Sequence, residues 1–322
     1  MTRAGKMPSG MEDEIRITAI IPTYNREQLI GRAIESALRQ SKRPAEIIVV
    51  DDGSSDGTRE KVAAFTDRVK YVYQSNSGVS IARNRGVSEA KSGWIAFLDS
   101  DDLWLENHLE RMARAIYATS GVARFYFGDT IRTTEEGNRR LWEICNFSVR
   151  GAYQLVPDAT QWVMMRRQPM MLQSSVFNRQ TYLDSGGLWQ RLHTREDTHL
   201  FLKLGIGGSV CAVTGCSTRM TLDARPHNRL TSAHDGTESS GYLMQVLMYQ
   251  DVLGSVPNIR LDHKRELRKR LAAAHLRLAR RLWNEHRPLT AALQAGRGAF
   301  IEPKQFLRDS YRIIARLLCK PK

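Results

Sequence analysis

The residues best suited to chemistry in this 322-residue chain are acids gathered behind short apolar runs. Asp99-Ser100-Asp101-Asp102 follows Trp94-Ile95-Ala96-Phe97-Leu98, a run that predicts a buried strand opening after Gly93. Asp51-Asp52 follows Ile47-Ile48-Val49-Val50 in the same way and leads into Gly53-Ser54-Ser55-Asp56-Gly57-Thr58. Acids at the carboxyl ends of strands face the crevice in which open α/β sheets bind ligands. Packed this closely they repel one another. A hard divalent cation relieves the repulsion by taking one or two carboxylates and completing its shell with substrate phosphates. On that reading Asp99 to Asp102 form a metal-bridged diphosphate site. An acidic turn capping the next helix accounts for the same residue types, because Asp and Ser are common in turns and at N-caps.

The elements that would position these acids alternate along the chain. Ile15 to Ile21 reads as a strand ended by Pro22, followed by the loop Thr23-Tyr24-Asn25. Leu29, Ile30, Ala33, Ile34, Ala37 and Leu38 then fall at the spacing that buries one face of a helix. A second helix over Thr58 to Phe65 has Asp56 as its expected cap, and Val69 to Tyr73 reads as a strand. Asn76-Ser77-Gly78 turns the chain into a helix through Ile81, Ala82, Val87 and Ala90. Strand and helix alternating over short connections predict an α/β fold, with a parallel sheet covered on both faces.

Beyond the acidic cluster, helices are expected over Glu106 to Thr119 and Thr160 to Arg167, and strands over Arg124 to Gly128 and Ser174 to Phe177. Thr133 to Arg150 has no dominant period. Gly186-Gly187 breaks the pattern, Glu196-Asp197 opens a helix, and Ser209 to Val213 and Ser217 to Leu222 read as short strands. From Leu261 onward the chain reads as helical, with Leu267, Leu271, Ala274, Leu278 and Leu282 along one side. Further helices are expected over Leu289 to Ala295 and Pro303 to Leu318.

Charge is unevenly placed. Of the net +14, residues 260–322 carry 17 Lys plus Arg against 5 Asp plus Glu, so the basicity belongs to the C-terminal region. Four scattered cysteines, Cys145, Cys211, Cys216 and Cys319, form neither a zinc signature nor a disulfide framework and read as reduced thiols. No run of eighteen apolar residues occurs, and the polar segment 1–14 lacks the apolar centre of a signal peptide. The expected location is therefore cytoplasmic, with residues 1–14 poorly ordered.

Taken in order, Ile21-Pro22-Thr23-Tyr24-Asn25, Val50-Asp51-Asp52-Gly53-Ser54-Ser55-Asp56, Asn76-x-Gly78-x-x-x-Ala82-Arg83-Asn84-x-Gly86 and Leu98-Asp99-Ser100-Asp101-Asp102 resemble the motifs of family 2 glycosyltransferases. Gly186-Gly187, Glu196-Asp197 and Arg225-x-His227 with Ser232 fit that family's second half. The resemblance covers about residues 15–232 and implies a GT-A fold, a Rossmann-like and mostly parallel sheet with helices on both faces. It further implies a nucleotide-sugar-binding half over 15–129 and an acceptor and catalytic half over 130–232, with 233–322 as a basic helical appendage.

The implied activity is metal-assisted, inverting transfer of a hexosyl or N-acetylhexosaminyl group. The donor would be a nucleotide diphosphate, a UDP-sugar, and the acceptor a saccharide or lipid-linked glycan of the cell envelope. By resemblance Asp52 accepts the uracil imide proton over a floor made by Pro22 and Tyr24, with Asn76, Arg83 and Ser100 also on the donor side. Asp99 then contacts the ribose, and Asp101, with Asp99 and His227, holds Mn²⁺ or Mg²⁺, while Asp102 orients this shell or caps the following helix. Asp197 is the general base and Glu196 its support. Arg225, His227 and Ser232 form a diphosphate loop, and Gln173, Gly186, Gly187 and Trp189 lie toward the acceptor. Leu188 and Thr198-His199 depart from the family pattern, and both departures fall on the acceptor side.

The basic region 260–322 is expected to meet an anionic membrane surface, making the protein peripheral at the inner face. Two other classes compete. A nucleic-acid-binding protein would exploit the same charge, but only Trp283, Phe300, Phe306 and Tyr311 accompany it and no recognised module is present, so no nucleic-acid partner is expected. A nucleotide-sugar-binding pseudoenzyme is disfavoured by the presence of both the acidic cluster and Asp197.

Overall fold

In the computed structural model, which describes residues 15–134, 137–220, 239–304 and 307, the chain divides into two compact units. The first runs to Gln190 and includes Leu200–Ala224; the second is Arg191–His199 with the chain from Arg225 onward.

The first unit opens with β1 (Ile17–Thr23), α1 (Ile30–Leu38), β2 (Glu46–Asp51), α2 (Thr58–Ala63), β3 (Lys70–Tyr73), α3 (Val79–Glu89) and β4 (Trp94–Phe97). These strands are all parallel in the order β3-β2-β1-β4. Every residue of β1 and β4 is buried, as a strand between two helical layers must be, and this is why their sequences are apolar throughout rather than alternating. Ile30, Ala33, Ile34 and Ala37 of α1 pack on one face of the sheet. On α3, Gly86 permits close approach to β1, because a Cβ there would stand 2.3 Å from Ile20 Cγ2.

The sheet continues through β5 (Asp102–Trp104), β6 (Phe125–Thr134), β7 (Gly137–Arg140), β8 (Tyr153–Val156), β9 (Ser175–Asn178) and β10 (Val210–Met220). Helices α4 (His108–Ala118), α5 (Leu141–Cys145), α6 (Thr160–Val163), α7 (Arg179–Asp184) and α8 (Glu196–Gly205) fall between them, α8 with its residues up to His199 in the second unit. Here the sheet is mixed, not mostly parallel as expected: β9 runs antiparallel to both β4 and β6, and β10 is parallel to β6 but antiparallel to β5 and β8. Ser-Val-Phe-Asn has the same apolar pattern in either direction, so only its neighbours decide its sense. The aperiodic stretch after Thr133 contains the β6–β7 hairpin and α5. The two short strands expected after Ser209 are one, β10, whose register against β6 shifts between Ala212 and Cys216 and again before Thr218. Phe97, Phe125, Phe177, Tyr182 and Phe201 form an aromatic layer, with centroids 5.3–6.2 Å apart. Cys145, Cys211 and Cys216 are free thiols.

The second unit contains α9 (Ser239–Ser255), α10 (Leu261–Asn284) and α11 (Pro288–Ile301). The expected stripe on α10 is its buried face: Leu271, Ala274, Leu278 and Leu282 pack with Val246 of α9 and Ala291 of α11. The α9 helix was not anticipated from sequence, since its apolar residues do not segregate to one side. Among the described residues no helix is long and apolar enough to cross a membrane.

One buried titratable group ties fold stability to pH. His108, at the start of α4, is fully buried with its ring centroid 5.0 Å from that of Trp104, and neither ring nitrogen has a hydrogen-bond partner. Burial pushes its pKa down to about 3. The unfolded chain, with an ordinary imidazole near pH 6.5, therefore binds the extra proton first, so this stability is full above about pH 6.5 and is lost as pH falls toward 3. Urea unfolding should weaken by about 1.4 kcal/mol per pH unit between pH 6 and pH 4 through this group, and His108→Phe should flatten that slope.

Candidate functional site

Strand register brings the acidic motifs together. Thr23 pairs with Asp51, Ile20 pairs with Phe97, and Leu98 N donates to Ile20 O, so β2, β1 and β4 end side by side. The chain leaves β1 toward β2 and β3 and returns on β1's other side at β4. The switch point of the parallel strands therefore lies between β1 and β4, whose ends lead into Tyr24 and Asp99.

Each acid there has its own set of donors. Asp51, buried, accepts from Ser54 N at 2.8 Å and Tyr71 OH at 2.7 Å; burial and this carboxylate push the Tyr71 hydroxyl pKa well up. Asp52, 4% exposed, accepts on Oδ1 from Gln74 Nε2 and Ser77 N and on Oδ2 from Gly78 N, all at 2.8 Å. Its charge thus sits at the amino end of α3, where the helix dipole favours it. The loops after β1 and β2 brace each other through Asn25 N to Ser54 Oγ, Ser55 N to Asn25 Oδ1 and Glu27 N to Asp56 Oδ2. Asp56 also accepts from Thr58 N at 3.0 Å; burial opposes its ionisation, but these bonds hold its carboxyl below the ordinary range.

In the acidic turn the three carboxylates are distinct. Asp99 Oδ1 is 2.6 Å from Arg83 Nη2, and that arginine side chain is only 7% exposed. Asp101 is half-buried, and Ser100 is buried. Asp102 opens β5 and accepts from Gln173 Nε2 at 2.9 Å. It therefore does not cap α4, whose N-cap is Asn107. Gln173, expected toward the acceptor, is buried against this turn, and its carbonyl oxygen accepts from Trp104 Nε1 and Thr218 Oγ1, both at 2.8 Å. Among the described residues no three His, Cys, Asp or Glu side chains converge on one point. An all-protein metal cage is thus absent from those residues. A donor set of one or two carboxylates suits a hard ion that takes the rest of its shell from substrate phosphates and water.

Pro22 is buried in β1, Tyr24 is 46% exposed and Asn76 is exposed. Gly186-Gly187 is held from α3: Asn84 Oδ1 accepts from Tyr182 OH at 2.6 Å and Leu188 N at 3.1 Å, while Asn84 Nδ2 donates to Leu188 O at 2.8 Å. Gly187 has φ +65°, and a Cβ on it would lie 2.7 Å from Asn84 Oδ1. Burial pushes the Tyr182 hydroxyl pKa up, so it remains a donor. Trp189 follows, half-buried. In the second unit, Glu196 and Asp197 are the first two residues of α8, and Asp197 Oδ1 accepts from Thr198 N at 2.6 Å. Arg225, His227 and Ser232 lie outside the described residues. Sequence reasoning gave no role to the Gln74 and Asn84 side chains; only their place beside Asn76-x-Gly78 and Arg83 hinted at one.

Residues 18–170 match the family model for Glycosyl transferase family 2. That match places this segment, just under half of the chain, in glycosyl transferase family 2. Over 100 residues it is 43% identical to the Escherichia coli UDP-Glc:alpha-D-GlcNAc-diphosphoundecaprenol beta-1,3-glucosyltransferase, covering 30% of this chain and 40% of that protein. The chain spans only 16–40% of the length of the curated relatives it matches. The fold resembles that of S. aureus TarS 1-349 in complex with UDP-GlcNAc, with TM-score 0.63 and 17% identity over 92% of this chain and 91% of that one. A Pyrobaculum calidifontis mannosyltransferase in complex with GDP-Man and Mn2+ has TM-score 0.55 and 19% identity over 95% of this chain and 81% of that one. These likenesses establish a GT-A-type fold.

Removing the Asn84 side chain would leave the Leu188 and Tyr182 polar groups without their shared partner. Asn84→Ala should lower stability by about 1–3 kcal/mol, and amide hydrogen exchange should show protection lost at Leu188 while β1 and β4 stay protected.

Proposed function

We propose that the chain is an inverting glycosyltransferase that moves a sugar from a UDP-sugar to a hydroxyl of a saccharide or lipid-linked glycan of the cell envelope. The observation that carries this reading is the crevice at the β1/β4 switch point, where Asp52, Asp99 and Asp101 follow the carboxyl ends of parallel strands and Arg83 reaches Asp99 from α3. A UDP-GlcNAc-bound structural neighbour and a relative named for a diphosphoundecaprenol-linked acceptor support the donor and acceptor classes.

In this reading Asp52 has used three of its roughly four acceptor positions, and the one left on Oδ2 takes the uracil imide proton. Pro22 and Tyr24 form the floor under the base, with Asn76 and Ser100 beside the nucleotide. Arg83 holds Asp99 toward the ribose, and its guanidinium, suited by geometry to phosphate or a carbonyl edge, lies on the nucleotide side. Asp101 and Asp99 would hold Mn²⁺ or Mg²⁺, with His227 as a further ligand. Such an ion, when bound, stabilises charge on the departing diphosphate. Gln173 keeps Asp102 turned into the sheet and so presents Asp101. Asp197, supported by Glu196, takes the proton from the acceptor hydroxyl. The acceptor oxygen bonds to the sugar C1 as the bond from C1 to the diphosphate oxygen breaks, and that electron pair leaves with UDP. Gly186, Gly187 and Trp189 border the acceptor, and Arg225, His227 and Ser232 contact the diphosphate.

Thermal shift with UDP-sugars and Mn²⁺ checks the donor assignment, because a ligand binding only the folded state raises the apparent Tm. Asp197→Asn should keep that shift while turnover falls about 10²–10⁴-fold. Asp101→Asn should lose the Mn²⁺-dependent part of the shift. Metal-dependent hydrolysis of UDP-sugars without acceptor would separate an enzyme from both a pseudoenzyme and a nucleic-acid-binding protein.

For the partner surface, we read α11 as the contact with an anionic bilayer. Its inner face carries small or polar groups, Ala291, Gln294 and Gly298, whereas Leu289, Leu293 and Phe300 are 87%, 55% and 90% exposed. Arg297 shares that outer face, and residues 239–304 hold twelve Lys plus Arg against five Asp plus Glu. A second copy docked symmetrically would bring like charges together, whereas anionic headgroups complement them. The full chain should co-sediment with vesicles containing phosphatidylglycerol and not with pure phosphatidylcholine, and Phe300→Glu should abolish binding without changing UDP-sugar hydrolysis. Sedimentation independent of lipid charge, or loss of a dimer instead of lipid binding in Phe300→Glu, overturns this assignment.

A further inference from the structure

The segment that opens α8 carries two features beyond what a helix start requires. Arg195 adopts φ 68°, in the left-handed region, which costs a non-glycine residue roughly 1–2 kcal/mol. Strain of this kind persists where surrounding structure holds it. Four residues on, His199 N donates to Arg195 O at 2.9 Å and closes the first helical turn. The His199 side chain is 1% exposed, and its Nε2 lies 2.7 Å from Asp251 Oδ2 on α9. Ser255 Oγ, one turn along α9, donates to the same oxygen at 3.1 Å and sets the orientation of the carboxylate.

Helix geometry turns this pair into a constraint on Asp197. Successive helical residues are about 100° apart, so residues i and i+2 point about 200° apart around the axis. With His199 drawn inward to α9, the half-buried Asp197 is turned to the other side of α8. The strained Arg195 on one end and the His199–Asp251 bond on the other thus fix both the axial rotation and the start of this turn. A helix end without such a tertiary contact would be free to fray through its first residues.

We propose that Asp251 is a positioning residue for Asp197, acting through His199 to hold the first turn of α8 in one rotation. This rests on the assignment of Asp197 as the general base. A carboxylate that must come within hydrogen-bond reach of an acceptor hydroxyl loses most of its value when displaced by an ångström. Asp251, 54 residues away in sequence, touches neither donor nor acceptor in this scheme; its effect is on the geometry of the base.

The test uses the full-length chain with Mn²⁺, following hydrolysis of UDP-N-acetylglucosamine and UDP-glucose together with UDP binding by calorimetry. Asp251→Ala should lower kcat by about 10- to 100-fold while KM and the UDP dissociation constant stay near wild type. Asp251→Asn, which keeps an oxygen to accept from the imidazole N–H, should recover most of the loss, a rescue that a purely volumetric role would give equally with Leu. The comparison of Asp251→Asn with Asp251→Leu therefore separates the two. The proposal is overturned if Asp251→Ala turns over like wild type, if Asp251→Leu rescues as well as Asp251→Asn, or if KM and UDP binding deteriorate together with kcat. Asp197→Asn, run alongside, distinguishes the two levels: wild-type turnover in Asp197→Asn removes the base itself, whereas its loss with an unaffected Asp251→Ala removes only the positioning role.

Discussion

Carboxylates at the ends of neighbouring strands repel one another, and the first unit is organised around the donors that keep them apart. Two unit charges at 4 Å cost on the order of 4 kcal/mol near a protein surface, so several acids in one crevice need local compensation. Asp51 is taken up by Ser54 and Tyr71, Asp52 by Gln74 and the amides leading into α3, Asp99 by Arg83, and Asp102 by Gln173. The outcome is differentiation: Asp51, Asp52 and Asp102 are buried in the fold, Asp99 is shared with a guanidinium, and Asp101 lies half-buried on the turn.

Helix α3 connects these interactions. Within eleven residues it presents Gly86 to β1, Arg83 to the acidic turn and Asn84 to the Gly186–Leu188 turn, while the amides entering it hold Asp52. Its side chains are hardly amphipathic in the usual sense, because the faces are assigned by specific partners rather than by hydrophobicity. This explains why a motif of mixed residues, Ala82-Arg83-Asn84-x-Gly86, occupies an element that a simple apolar stripe would otherwise define. A change at any one of these positions is transmitted to a different part of the crevice.

The second unit obeys a different rule. In α10 the leucine stripe is buried as amphipathicity requires, but α11 turns small residues inward and large apolar ones outward. Gln294 on that inner side meets His275 Nδ1 at 2.7 Å, so a polar contact sits where an apolar one would be usual; burial pushes the His275 pKa down despite this bond. The same unit carries the first turn of α8, held by a histidine–carboxylate contact to α9. The proposed positioning of Asp197 and the proposed bilayer contact thus both rest on helices whose faces a hydrophobicity pattern alone describes poorly.

What the sequence by itself determined was the part governed by local periodicity and by motif order. Continuous apolar runs identified β1, β2 and β4, the 3.6-residue stripe identified α1 and α10, and the acids stood where strands end; with the ordered motifs these gave the resemblance to family 2, from which Asp52, Arg83, Asp99, Asp101 and Asp197 come as proposed site residues. Tertiary structure alone decided which residues meet. The direction of β9, the merging of β10, the turning of Asp102 toward Gln173 instead of α4, the Asn84 bolt on Gly187 and the Asp251 contact to His199 all join residues far apart in the chain. Such contacts depend on strand register and helix packing, and no local pattern records them, because the energy that selects them arises only when distant segments are already side by side.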